Sequence, residues 1–221
     1  MKKIVSKGAK NAIAIGSLCS VSYLAVYIVR NILSALSPKM LKDGFTTESI
    51  GSLSSAFFIT YAIGQLINGI IGDRIKAKYM ISFGLIFSGI CNYIFAGFSK
   101  SFAVVYISYA IMGFFLSMIY GPMTKVVSEN TDLLYATRCS IGYNFASFLG
   151  SPIAGVLAAF LLWRIAIYTS GTILIIMGTI CLILFSVFEK KGVVAYNKYE
   201  LARKQGRGIK LLIKRDIIRF T

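Results

Sequence analysis

The sequence predicts an all-α, polytopic membrane protein of six transmembrane helices, and three observations carry that expectation. Of the 221 residues, 57% are hydrophobic and only 14% charged, where a soluble domain carries roughly 25% charged residues. Runs apolar enough to cross a bilayer, which takes about 20 residues, fall at 12–36, 50–72, 80–98, 102–124, 139–161 and 165–188. The Lys and Arg residues then alternate with these runs: nineteen fall on one side and four on the other. That asymmetry places both termini in the cytoplasm of a multi-pass cell-membrane protein, because basic loops are retained on the cytoplasmic side. The net charge of +16 is therefore assigned to the bilayer and its orientation rule, and no nucleic-acid partner is expected.

The first span follows MKKIVSKGAKNAIAIG. This opening imitates a secretory signal, but its apolar run continues too far and shows no small-residue cleavage site, so it reads as an uncleaved helix. It carries Tyr23, Tyr27 and Arg30 at i, i+4 and i+7, a spacing that puts all three on one helical face. The second span repeats that spacing with Tyr61, Gln65 and Asn68. Ser99-Lys100-Ser101 alone separates the third span from the fourth, which reads as a tight helical hairpin. The run SENTD, 128–132, separates the fourth from the fifth. Asn144, Ser147 and Ser151 form a third polar stripe on the fifth span, followed by Pro152, and Trp163-Arg164 opens the sixth. The bundle thus occupies 1–188, and 189–221 is a basic segment. Within it Ile209, Leu212, Ile213, Ile217 and Phe220 approximate one face, so this stretch is either a helix lying on an anionic leaflet or a solvated linker.

Polar stripes are expensive against lipid, so they are expected to turn inward and line a shared interior; bonding between packed helices is the simpler alternative for Asn144 and Ser147. Arg30 demands more. An arginine at mid-membrane costs at least about 2.5 kcal/mol unless it is paired, hydrated or occupied by a ligand, and no Asp or Glu lies within the six apolar runs. The expected counter-ion is an anionic ligand. The same absence, with no histidine anywhere, removes the usual intramembrane proton carriers and leaves no acid–base pair for a membrane enzyme. No catalytic residue, metal site or cofactor is expected. Cys19, Cys91, Cys139 and Cys181 lie in or beside the spans without ligand spacing and read as small apolar residues. Gly64, Gly69, Gly72, Gly113, Gly121, Gly150 and Gly155 suit close helix packing.

The loop GIIGDRIKAKY, 69–79, lies between the second and third spans on the side assigned as cytoplasmic. It resembles the signature of the major facilitator superfamily: Gly69, Asp73, Arg74, Lys76 and Lys78 fit a glycine, an Asp-Arg pair and a basic cluster. Within that superfamily, YLAVYIVRN, 23–31, is similar to the first helix of the organophosphate:phosphate antiporters, with Tyr23, Tyr27 and Arg30 matching position by position. Asn31 and Gln65 stand where those carriers often have lysine, the fifth span lacks their histidine, and Trp163-Arg164 matches their turn before the sixth helix. The resemblance covers 1 to about 188. It implies an N-terminal six-helix half of a major facilitator fold, a secondary transporter moving a small anionic solute, a phosphate ester or inorganic phosphate, by alternating access. A non-transporting membrane sensor of the same ligands is the alternative. By the same resemblance Arg30, Tyr23, Tyr27, Tyr61, Gln65 and Asn144 are the expected substrate-binding residues, and Gly69, Asp73 and Arg74 a cytoplasmic gate. Such carriers have twelve helices with the site between two halves. The expectation is therefore a second six-helix half or partner chain, or else a truncated product inactive alone.

Overall fold

A computed structural model describes residues 7–72 and 74–196. Six helices follow one another: α1 Lys7–Lys42, α2 Thr47–Ile71, α3 Ala77–Gly97, α4 Phe102–Asn130, α5 Leu133–Phe160 and α6 Trp163–Lys190. All six are long and apolar enough to cross a membrane. Asp73 and the basic stretch around Ile209 lie outside the described residues.

The helices overrun the apolar runs that announce them. α1 has 36 residues, about 54 Å at 1.5 Å per residue, against a hydrocarbon thickness of about 30 Å. Just before its last turn stands Pro38, which cannot donate to the carbonyl of Ser34; the Ser37 hydroxyl donates to that carbonyl instead, at 2.8 Å. α4 continues past residue 124 through Ser128 and Glu129 to Asn130. Polar residues end a hydrophobic run without ending a helix, and the Asn130 amide donates back to Val126 O at 3.0 Å.

Each turn is fixed by local chemistry. Gly44 adopts φ +95°, a left-handed conformation open to glycine without steric cost. Thr46 then caps α2: its hydroxyl accepts from Ser49 N, and Ser49 Oγ accepts from Thr46 N, closing a reciprocal capping box.

The packing scheme is two-fold. α1 lies chiefly on α5 and next on α6; α4 lies on α2 and α3; α3 and α6 pack on each other. Exchanging α1–α3 with α4–α6 maps this scheme onto itself, and an odd number of spans per triplet makes the two repeats run in opposite directions across the membrane. α1 and α3 are the most enclosed helices, α2 and α5 the least.

Both ends of the bundle are tied. At one, Lys39 Nζ donates to the carbonyls of Ala159 in α5 (3.1 Å) and of Leu161, which caps it (2.9 Å), and the Trp163 indole donates to Asp43 Oδ2 while stacking edge-on with Phe45. At the other, Glu189 accepts from Lys76 at 2.7 Å and Lys78 at 2.5 Å. There the chain after α6 folds back: Val194 and Tyr196 are buried in the core, and Ala195 N donates to Asn130 Oδ1 at 2.6 Å. The first residues of the segment read as a linker from 189 onward thus pack against the bundle.

Candidate functional site

Arg30 sits near the middle of α1, half-buried, on the face it shares with Tyr23 and Tyr27. Its guanidinium carbon lies 5.5 Å from the Tyr27 ring centre, 5.3 Å from Phe58 and 5.0 Å from Tyr61. Two rings therefore come from α2 and one from α1. Cation–π contacts of this kind contribute on the order of 0.5–2 kcal/mol each, more as water is excluded, so the cage offsets part of the cost of holding the charge inside the membrane.

The cage does not neutralise the charge. Among the described residues the ion pairs all run to Glu189, and no carboxylate or carbonyl accepts from the guanidinium. The planar fork thus has N–H donors uncommitted among the described residues, in a geometry that can match two oxygens of an oxyanion bidentately.

Tyrosines surround this centre. Tyr23 stacks edge-on with Tyr27, 4.9 Å between ring centres, and lies 5.5 Å from Tyr120 and 6.0 Å from Tyr143. The helices meet closely here because Gly150 of α5 lies against Tyr27: a Cβ at Gly150 would stand 2.5 Å from Tyr27 Cβ and 2.8 Å from its carbonyl carbon. The Tyr143 hydroxyl pairs with Ser140 Oγ at 2.7 Å. Asn31, beside the arginine, donates its amide to Tyr27 O at 2.8 Å.

Gln65 extends the site along α2. Its amide donates to the Tyr61 hydroxyl at 3.1 Å, and it also lines a cavity of about 300 Å³ between α2 and α4, with Asn68, Gly69, Ser117, Tyr120 and Lys125 among its walls. The Asn68 Nδ2 donates to Ser117 Oγ at 2.7 Å, holding the two helices together.

The structure thus brings Tyr23, Tyr27, Arg30, Tyr61 and Gln65 into one connected region. Asn144 stands apart from it. It is exposed, its amide donates to Ser140 O of its own helix at 2.9 Å, and no described contact joins it to the cage. Its neighbour Tyr143 takes the inward position. Gly69 lies on the cavity wall, Arg74 is exposed in the turn after α2, with its backbone N donating to Ile71 O at 2.9 Å, and Asp73 lies outside the described residues. Phe58, Tyr120 and Tyr143 went unpredicted. Phe58 had a signal, three residues before Tyr61 and hence on the same α2 face; the two tyrosines had none beyond their hydroxyls inside apolar spans.

Comparison with known proteins identifies the family. The family model described as Major Facilitator Superfamily matches residues 19–218. A "Probable hexose phosphate transport protein" of Chlamydia trachomatis is 28% identical over 163 residues, 72% of this chain and 36% of the relative. The membrane sensor protein UhpC of Escherichia coli is 31% identical over 168 residues, 71% of this chain and 36% of the relative. The glycerol-3-phosphate transporter of Bacillus subtilis is 25% identical over 173 residues, 74% of this chain and 39% of the relative. The chain spans little more than a third of the length of the curated relatives it matches.

Proposed function

Because the chain belongs to the Major Facilitator Superfamily, we propose that it supplies one six-helix half of a secondary transporter that exchanges small phosphate-bearing anions across the cell membrane. The observation that carries this reading is the guanidinium of Arg30, held by three aromatic rings and by no carboxylate among the described residues. The relatives named for hexose phosphate and glycerol 3-phosphate transport support a phosphorylated solute.

In this reading the phosphoryl oxygens take the guanidinium fork in charge-assisted hydrogen bonds. Tyr23, Tyr27 and Tyr61 offer hydroxyl donors around it, and Gln65 offers an amide. A second six-helix half, on this chain's partner or a longer form of it, closes the far side of the site. Loading then biases the two halves toward closure, and reopening on the opposite face releases the solute. An empty site leaves the cation without a counter-charge in a closed, dehydrated state. That state is costly, so the loaded carrier switches and the empty one resists switching. Exchange is favoured over leak.

Gly69, Asp73 and Arg74 serve as the gate at the end of the bundle where α1 begins and α6 ends, which is the cytoplasmic end in this reading. The nineteen-to-four division of basic residues supports that orientation.

Counterflow tests the proposal. Proteoliposomes carrying the protein and loaded with inorganic phosphate are expected to accumulate labelled glucose 6-phosphate or glycerol 3-phosphate, and to do so far more slowly when the lumen contains no anion. Ligand-dependent changes in intrinsic fluorescence without counterflow would instead assign the chain a sensing role.

A further inference from the structure

We infer that the face formed by α2 and α5 is where a second copy of this chain docks, so that the two copies hold one anion between them. The shared anion rests on the reading that Arg30 takes a phosphoryl group; the docking face stands without it.

The exposed surfaces of the helices are of two kinds. On α3 and α6 they are chiefly large and apolar, as at Phe83, Phe87 and Ile90 on the first and Ile176, Ile180 and Ile183 on the second. Such faces suit acyl chains. On α2 and α5, the least enclosed spans, the exposed stripes set small or hydroxyl residues around single large ones. Gly51, Ser55, Phe58 and Ala62 line α2 at i, i+4, i+7 and i+11, and Phe148, Ser151, Gly155 and Ala159 line α5 at i, i+3, i+7 and i+11. Small residues let membrane helices approach closely, and hydroxyls bond across them instead of facing hydrocarbon. A Cβ at Gly51 or Gly155 meets nothing within 4 Å, so one copy alone does not use the room these glycines leave.

The pattern of the face identifies its partner as another copy. Every copy inserts with the same sidedness, because the same basic residues orient each one. A closed pair is then related by a two-fold axis along the membrane normal, which holds each residue at its own depth. Under that axis α2 of each copy meets α5 of the other, the two helices running antiparallel. Depths follow from contacts inside one chain: Gly150 lies level with Tyr27, and Phe58 and Tyr61 flank Arg30 about one turn further along α1. Counted from those contacts at 1.5 Å per residue, Ala62 falls within about one turn of the partner's Phe148, and Phe58 of the partner's Ser151. Ser55 likewise falls beside the partner's Gly155, and Gly51 beside the partner's Ala159. Each large side chain faces a small one.

The charges agree at both ends. Glu48 is exposed in the first turn of α2, and Lys39 is bonded at the level where α5 ends, on the carbonyls of Ala159 and Leu161. Across the membrane, exposed Arg74 follows α2 and exposed Asp132 precedes α5. The two-fold brings Glu48 toward the partner's Lys39 and Arg74 toward the partner's Asp132. Opposite signs meet in this pairing, whereas α2 against α2 would set like charges together.

Arg30 lies between the two rims, with Phe58 of α2 on one side and Gly150 of α5 beneath Tyr27 on the other. The axis therefore turns a second cage toward the first, and one phosphate dianion balances both guanidiniums. Phosphate is expected to bind once per two chains and, by mass action, to tighten the pair.

The test counts fluorescently labelled copies of the full chain in liposomes, by stepwise photobleaching as lipid dilutes the protein. Pairs are expected to persist at dilutions where random occupancy gives single copies. Gly51→Leu and Gly155→Leu, which have open space within one chain, are each expected to weaken pairing about tenfold or more by forcing the helices apart. Phe148→Ala, which removes an exposed side chain, is expected to weaken it too and serves where a leucine variant does not fold. Ile183→Ala on the α6 surface is expected to leave pairing unchanged. Single copies at every dilution, or pairs untouched by the α2 and α5 variants, overturn the docking face, as does an equal loss from Ile183→Ala. Calorimetry with inorganic phosphate then separates the two readings. One phosphate per chain overturns the shared anion while Arg30 keeps its role, and pairs that bind no phosphate remove the Arg30 reading while the docking face stands.

Discussion

α2 and α5 occupy equivalent places in the two triplets, and each carries a polar stripe on one face: Tyr61, Gln65 and Asn68 on the first, Asn144, Ser147 and Ser151 on the second. The structure uses them differently. The α2 stripe runs from the arginine cage into the cavity wall, with the Asn68 Nδ2 bonded to Ser117 of α4. The α5 stripe is turned onto its own backbone, Asn144 donating to Ser140 O and Ser147 to Asn144 O at 2.6 Å, while the α5 contribution to the cage is the bare backbone of Gly150 beneath Tyr27. Periodicity tells which residues share a face, but not which way that face is rotated in the bundle.

The contrast can be broken from the α5 side first. Gly150→Leu drives a side chain into Tyr27, where no neighbouring atom can yield without moving the α1 backbone. Overpacking typically costs about 1–3 kcal/mol and sometimes more; at this contact the upper end is expected, read as a clear fall in melting temperature in detergent. Gly69→Ala on α2, with open space around it, is expected to leave that temperature within a degree or two. A Gly150→Leu variant as stable as the wild type would mean α1 and α5 do not meet as described.

The α2 side is sharpened by Tyr61. Tyr61→Leu removes one wall of the cage and the acceptor for Gln65, and phosphate binding is expected to weaken by about tenfold, the worth of a desolvated cation–π contact. Tyr61→Phe keeps the ring and loses only the Gln65 bond, so titration should show a loss of a few-fold at most. Similar affinities for the two variants would show that the hydroxyl, not the ring, matters.

The smallest effect is expected at Asn144. An exposed side chain bonded to its own helix contributes within about 0.5 kcal/mol of nothing when truncated, so Asn144→Ala should bind inorganic phosphate within about twofold of the wild type. A large loss would place the α5 stripe at the site after all.

Much of this architecture was legible because a bilayer leaves few solutions. Six runs of sufficient length become six helices, since every backbone group must be satisfied within its own segment. The juxtaposition of Tyr27, Arg30 and Tyr61 was readable from helical spacing and from the expense of an unpaired cation. Helix ends were not readable from hydropathy: Ser128, Glu129 and Asn130 are compatible with helix and merely unsuited to hydrocarbon, so α4 passes through them. Val194 and Tyr196, apolar residues in a basic segment, gave no sign that they fold back into the core. Phe58, Tyr120 and Tyr143 were hidden for a physical reason. An aromatic in a membrane span looks the same whether it meets lipid, a neighbour or a cation, and only the rotation of its helix decides.

The most direct measurement is calorimetric titration of inorganic phosphate into the protein in nanodiscs, with Arg30 varied. Arg30→Ala should abolish binding, and Arg30→Lys should retain a weakened remnant, because the charge survives while the two-pronged fork is lost. Binding of unchanged strength in Arg30→Ala would show that the anion is held elsewhere and that the caged guanidinium is only a structural cation.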